Sequence, residues 1–181
     1  EDRAFLEKEI RDSLKQFDGF GWWDLCTMIR LENGRRKFDS EYYRALMQLT
    51  ANVFREAQYK DKLFVAETVV GHENPSSVGY ILSSEGTKTL RDSLLIGLEN
   101  GVDIINVPEW DEQNENTSLR PTVYNGTSHM RIMRHLMGRL KGKQPSRIAS
   151  DDPSRPDLIL SMRKIITLGE KLEFELLNIP D

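Results

Sequence analysis

The 181 residues predict a single mixed α/β domain, a central β-sheet flanked by helices. Three observations carry that prediction. Apolar residues recur at helical spacing in several separate segments, and short β-branched runs such as Val-Asp-Ile-Ile-Asn-Val at 102–107 lie between them. A helical pattern closing at Asn100-Gly101 feeds straight into that run, a helix–glycine–strand junction characteristic of α/β architecture.

Taken in order, Leu6, Ile10, Leu14 and Phe17 mark an amphipathic helix that stops at Asp18-Gly19. Trp22, Leu25, Cys26 and Ile29 fall on one helical face and predict a short buried second helix, with Asn33-Gly34 as its stop. Asp39-Ser40 offers an N-cap for a long helix carrying Tyr43, Leu46, Met47, Thr50, Val53 and Phe54 and ending near Tyr59. Residues 63–70 (Leu-Phe-Val-Ala-Glu-Thr-Val-Val) read as a strand, although so short an apolar run also fits a helix, and Gly71-His72-Glu73-Asn74-Pro75 breaks it.

Thr87 caps the helix of Leu90, Leu94, Leu95 and Leu98 that precedes the 102–107 strand. The polar stretch 109–118 reads as a loop, followed by a strand near 120–124, a turn at Asn125-Gly126 and a helix from Ser128 to about Leu140. Leu158, Ile159, Met162, Ile165 and Ile166 predict one more helix, and 172–179 a last strand. The organisation expected is a core over 1–141, a linker or exposed loop over 142–156 and a C-terminal extension over 157–181 that packs on the core.

The chain opens at Glu1 already inside an amphipathic pattern, which predicts a domain excised from a longer protein. Its longest apolar runs, such as Leu94-Leu95-Ile96, fall far short of the roughly 20 residues a membrane helix needs, and no membrane association is expected. A lone Cys26 cannot close an internal disulfide, so an intracellular setting is expected and the sequons at Asn116 and Asn125 read as chance matches. The net charge of −4 is spread over interspersed acids and bases, yet 109–115 is acidic while 131–147 carries Arg131, Arg134, Arg139, Lys141, Lys143 and Arg147 with no acid among them.

No glycine-rich phosphate loop and no metal-ligand spacing is present, so no cofactor is expected; His72 and His135 read as structural or solvent-exposed. Glu67, Asp103 and Glu109 are scattered acids without the Glu-x-Lys element of a metal-dependent nuclease. The most informative segment is Asp18-Gly19-Phe20-Gly21-Trp22-Trp23. A tight glycine turn entering a helix N-terminus can activate a nucleophile and hold an oxyanion; the plainer reading is an ordinary turn beside two core tryptophans.

On these residues the sequence resembles the ovarian-tumour (OTU) family of cysteine deubiquitinases, whose nucleophile loop reads Asp-Gly-Asn-Cys. Asp18 and Gly19 match its first two positions, and the run Arg120-Pro-Thr-Val-Tyr-Asn-Gly-Thr-Ser-His129-Met130 is similar to the late strand leading to the family's histidine. Phe20 stands for the asparagine, Gly21 for the cysteine, Met130 for an aromatic residue, and Arg131 for an acid or amide. The resemblance implies an OTU-like cysteine-protease fold with Asp18, Gly21 and His129 at the site positions and no nucleophile, since glycine cannot attack a carbonyl. Cys26, more than a turn further on, points to another face.

The function so implied is a pseudo-deubiquitinase acting as an interaction module for ubiquitin or another protein or, were cysteine native at position 21, an active thiol-dependent deubiquitinase using His129 as base. Gly21 and His129 should then face each other across a cleft within about 10 Å. Two other classes compete: an RNA- or phosphate-binding module on the basic helix 128–143 through Arg131, Arg134, Arg139 and Lys141, and an architectural domain of a larger protein.

Overall fold

In a computed structural model of the chain, residues 2–74, 81–140, 142–143 and 158–179 are described, the side chains of residues 139 and 140 apart. The expected class holds: a parallel sheet flanked by helices. Helix α1 (Arg3–Gln16) leads into strand β1 (Gly19–Gly21), which pairs in parallel with β4 (Leu63–Glu67); β4 pairs in parallel with β7 (Ile104–Asn106). The connections carry α2 (Ser40–Phe54) and α3 (Lys88–Glu99), which pack on each other and on β4.

The pleat decides what each face of this sheet meets. Phe64 and Ala66 of β4 point to the helices and join Tyr43, Met47 and Ala51 of α2 and Ile96 of α3 in the largest apolar cluster. Phe20 of β1 faces the same way, against the cluster of Ile10, Leu14, Leu49 and Val53 that holds α1 to α2. The alternate residues, Gly19, Gly21, Val65, Glu67 and Asn106, line a groove on the other face. Asp39 caps α2 with its carboxylate on the Tyr42 N–H at 3.0 Å.

Three expectations are corrected. The segment after Trp22 is no helix: a single 3-10 turn (Leu25–Thr27) leads into an antiparallel hairpin of β2 (Ile29–Glu32) and β3 (Arg35–Phe38). Asn33 and Gly34, at φ 51° and 75°, make the left-handed two-residue turn that such a hairpin requires, so the Asn-Gly pair was a hairpin signal rather than a helix stop. Near 120–124 there is no strand, only an isolated bridge from Thr122 to Gly126. The third is the C-terminal helix, which is instead strand β8 (Leu158–Met162), paired antiparallel with β9 (Phe174–Asn178).

That hairpin joins the rest of the molecule. Ile159 and Ile179 pack with Leu94 of α3 and with Ile132 and Leu136 of α4 (Ser128–Leu140), and the buried Ser161 hydroxyl accepts from the Thr87 N–H at 2.9 Å. A short antiparallel pair, β5 (His72–Glu73) with β6 (Ile81–Leu82), follows β4. Most of the expected linker 142–156 lies outside the described residues.

Candidate active site

Parallel β/α units leave their loops at the carboxyl ends of the strands, where ligands and reacting groups gather in such sheets. Here those ends deliver acids. β4 ends on Glu67; β1 runs on through Trp22 and Trp23 to Asp24; β7 runs on through Val107 and Pro108 to Glu109. Asp24, Glu67 and Glu109 line one cleft of about 170 Å³ with Trp23, Cys26, His72 and Glu115.

Glu67 is the chemically distinctive member. Its side chain is buried, and Oε2 has no hydrogen-bond partner among the described residues. Burial raises its pKa to about 7, the backbone N–H groups of Asp24 and Leu25 pull the other way, and the negative charges of Asp24 and Glu109 add to the rise. The strand around it is pinned: the Tyr43 hydroxyl donates to the Glu67 carbonyl at 3.0 Å.

The supporting loops are held in costly conformations. Asp24 (φ 68°) and Glu109 (φ 71°) are non-glycine residues in the left-handed region, a strain that clusters at functional sites. The Cys26 thiol donates to Asp24 Oδ1 at 2.6 Å and, through burial first and that bond second, is pushed up to about 12, so it is no nucleophile near neutral pH. Glu115 ties the acidic loop to β5, with His72 Nε2 at 3.3 Å and Asn74 Nδ2 at 2.8 Å from its carboxylate. Among the described residues no three His, Cys, Asp or Glu side chains are grouped to hold a metal ion.

The cleft continues across the sheet into an open groove of about 220 Å³ that shares Trp23 and Glu67 and runs over Gly19, Gly21, Val65 and Asn106. Trp23 stands 70% exposed at the junction, and Trp110, beside Glu109, is 54% exposed. The exposed Trp23 indole beside a proton-holding carboxyl and further carboxylates makes a surface that can stack a flat ligand face and exchange a proton with the ligand.

The residues singled out from the sequence are distributed differently from the expectation. Asp18 is solvent-exposed and pairs with Lys62 at 3.2 Å. Gly21 lies within β1, paired with Val65, so the glycine turn at a helix N-terminus that the deubiquitinase resemblance required does not exist. A Cβ at position 21 would sit 2.7 Å from the Val65 carbonyl oxygen, which is why glycine stands there. His129 is buried in the first turn of α4, where burial and the Lys164 charge lower its pKa to about 4 against a hydrogen bond with the Ser118 backbone; it is not among the residues lining the groove of Gly21.

Arg131 and Arg134 are half-buried on α4 and engaged within the molecule, the Arg139 side chain and Lys141 are outside the described residues, and the helix packs through Ile132, Met133, Leu136 and Met137. Of the scattered acids, Glu67 and Glu109 share the cleft, while Asp103 sits at the opposite end of the sheet with its carboxylate on the Phe64 N–H at 2.9 Å. Asp24, Trp23 and Glu115 were missed. Position was a usable signal for Glu109, just after the 102–107 run, whereas Glu67 lies inside the expected 63–70 strand, whose end at Glu67 only the structure shows.

No protein-family model and no curated protein matches the sequence. Solved structures do match in fold, and the class they belong to is glycoside hydrolase. The GH99 endo-α-mannosidase from Bacteroides thetaiotaomicron, in complex with Bis-Tris-propane, has a TM-score of 0.53 at 18% identity over 75% of this chain and 44% of its own. A second structure of that enzyme gives 0.52 and 18% over 77% and 43%. At this identity the likeness is one of fold, and the chain spans less than half the length of those proteins. It replaces the deubiquitinase assignment, and the pseudo-deubiquitinase function drawn from it, with a fold like that of a glycoside hydrolase.

Proposed function

We propose that this chain forms an arc of a β/α barrel whose acid cleft binds and hydrolyses glycosidic linkages, α-mannosides being the first substrate class to try. The observation that carries the reading is the buried Glu67 carboxyl with its pKa raised to about 7 at the carboxyl end of β4. A carboxylic acid still protonated near neutrality can protonate a departing glycosidic oxygen, which is the general-acid half of glycoside hydrolysis. Glu109 and Asp24, in the same cleft, supply the second carboxylate that the reaction needs, as base or nucleophile on the other side of the sugar. Trp23 offers the apolar face on which a pyranose ring lies.

The fold supports the reading independently of the acids, because the solved structures it is similar to, at TM-scores of 0.53 and 0.52, are of an endo-α-mannosidase. The test is an assay of the chain on aryl α-mannosides and manno-oligosaccharides, with Glu67→Gln alongside. Glutamine keeps the shape and loses the proton, so kcat should fall by about 10²–10⁴ while binding survives. Equal rates for the two proteins would remove Glu67 from the chemistry, and absence of both binding and turnover by the unmodified chain would remove the glycosidic reading.

A further inference from the structure

Behind the acidic loop lies a second and larger groove, about 530 Å³, that the acid cleft does not use. Gln113, Asn116 and Ser118 of the loop line it together with Arg120, Tyr124 and Lys164. Its chemistry is the reverse of the cleft's: no Asp or Glu lines it, and it carries Arg120 and Lys164 in a chain whose net charge is −4. Neither cation makes an ion pair among the described residues, whereas Arg11, Lys37, Arg91 and Arg163 all do. Lys164 instead stands 5.6 Å above the Tyr124 ring, which fixes the ammonium at the groove while leaving the ring 86% exposed.

The groove is built from the same segment that closes the acid cleft. Trp110 accepts from the Arg120 N–H at 2.9 Å and from the Ser118 hydroxyl at 3.0 Å through its carbonyl, so Arg120 is held at the base of the loop whose tip carries Glu115 into the cleft. One loop thus lends residues to both an acidic cleft and a basic groove. A single extended ligand crossing it would meet carboxyl groups at one end and cations, an exposed phenol and side-chain amides at the other.

We propose that this groove is a subsite for an oxyanion carried by the glycan, a phosphate, sulfate or carboxylate substituent bound by Arg120 and Lys164, with the Asn116 and Gln113 amides on the neighbouring hydroxyls and Tyr124 against the ring. The assignment rests on the glycosidic reading of the acid cleft and narrows its substrate class from neutral to acid-substituted glycans. Arginine supplies a fork of N–H donors that suits an oxyanion and lysine a point charge beside it.

The test titrates the chain with matched manno-oligosaccharides, neutral, phosphorylated, sulfated and uronate-bearing, and with inorganic phosphate alone, each repeated on Arg120→Gln/Lys164→Gln. Both positions are exposed, so the variant should fold as the parent does. At least one anionic form should bind tighter than the neutral one by about tenfold or more, the gain vanishing in the variant and shrinking with salt while neutral binding is unchanged. Which form gains separates the three sources of charge. Neutral binding with no anionic preference overturns the subsite and leaves the acid cleft standing. Phosphate binding lost in the variant, with no glycan bound by either protein, keeps the anion site and overturns the glycosidic reading instead. No discrimination in any arm overturns the proposal.

Discussion

Glu67 and His129 are both buried, and they push stability in opposite directions as pH changes. Glu67 keeps its proton to about 7 in the folded chain against 4.5 ordinarily, so its contribution is full below pH 4.5 and is lost as pH rises through 7. His129 accepts its proton only at about 4 against 6.5 ordinarily, so its contribution is full above pH 6.5 and is lost as pH falls through 4. Each swing is on the order of 3 kcal/mol. In the shared window from about 4.5 to 6.5 the two slopes cancel, and the chain's urea midpoint should change little. Glu67→Gln should expose the imidazole's slope, stability rising with pH, and His129→Gln the carboxyl's slope, stability falling with pH. Midpoints at pH 5, 6 and 7 read this directly; if both variants track the parent, neither shift exists. A second prediction sits at Gly21, where a Cβ would meet Val65 at 2.7 Å to its carbonyl oxygen and 2.9 Å to its Cβ. Gly21→Ala should therefore cost about 1–3 kcal/mol in a denaturant titration, since backbone has to move. A neutral result would mean that β1 and β4 approach less closely than described.

At the scale of elements, the helices that carry a long apolar stripe and a cap were legible: α2 with Asp39, and α3 running into β7 through Asn100-Gly101. Two of the three failures, the helices expected after Trp22 and over 158–166, have a common physical cause. Trp22, Leu25, Cys26 and Ile29 do pack together on one core, but from a 3-10 turn and a strand, where helical spacing is incidental. In β8 the pleat is inverted, with Ile159 and Ser161 inward and the apolar Leu158, Leu160 and Met162 outward. A serine satisfied by Thr87 hid the period of two, and the outward leucines imitated a helical stripe. The strand pairing makes a prediction that the helical reading does not share. Ile159→Ala should cost about 2–5 kcal/mol with a single unfolding transition, because it empties a cluster shared with Leu94, Ile132 and Leu136. Ile165, 70% exposed, should lose less than about 0.5 kcal/mol as alanine. Equal losses at the two positions, or a separate early transition for Ile159→Ala, would contradict this packing.

Over the whole molecule, the parallel sheet has one face filled by α1, α2 and α3 and an opposite face that is open, and its acids gather at the carboxyl end of that open face. Glu67 and Glu109 were visible in the sequence only as scattered acids, because what joins them is the parallel pairing of β1, β4 and β7, a long-range fact that no local pattern encodes. The strain at Asp24 and Glu109 was invisible for the same reason, since nothing in an acidic residue announces a left-handed backbone. A cleft of carboxyl groups with one member titrating near 7 leads to a last expectation. A neutral saccharide that covers the mouth removes further water from Glu67, and loss of water disfavours its charged form. Since Glu67 is half protonated near pH 7, binding there should take protons up from the buffer. Calorimetric titrations of the chain with a manno-oligosaccharide in buffers of different ionisation enthalpy measure that uptake as the slope of observed enthalpy against buffer enthalpy. The slope should show net uptake at pH 7, shrink at pH 5 where Glu67 already holds its proton, and vanish in Glu67→Gln. Proton release, or an uptake that survives the glutamine, would locate the titrating group elsewhere and take with it the case for Glu67 as the acid that protonates the leaving sugar.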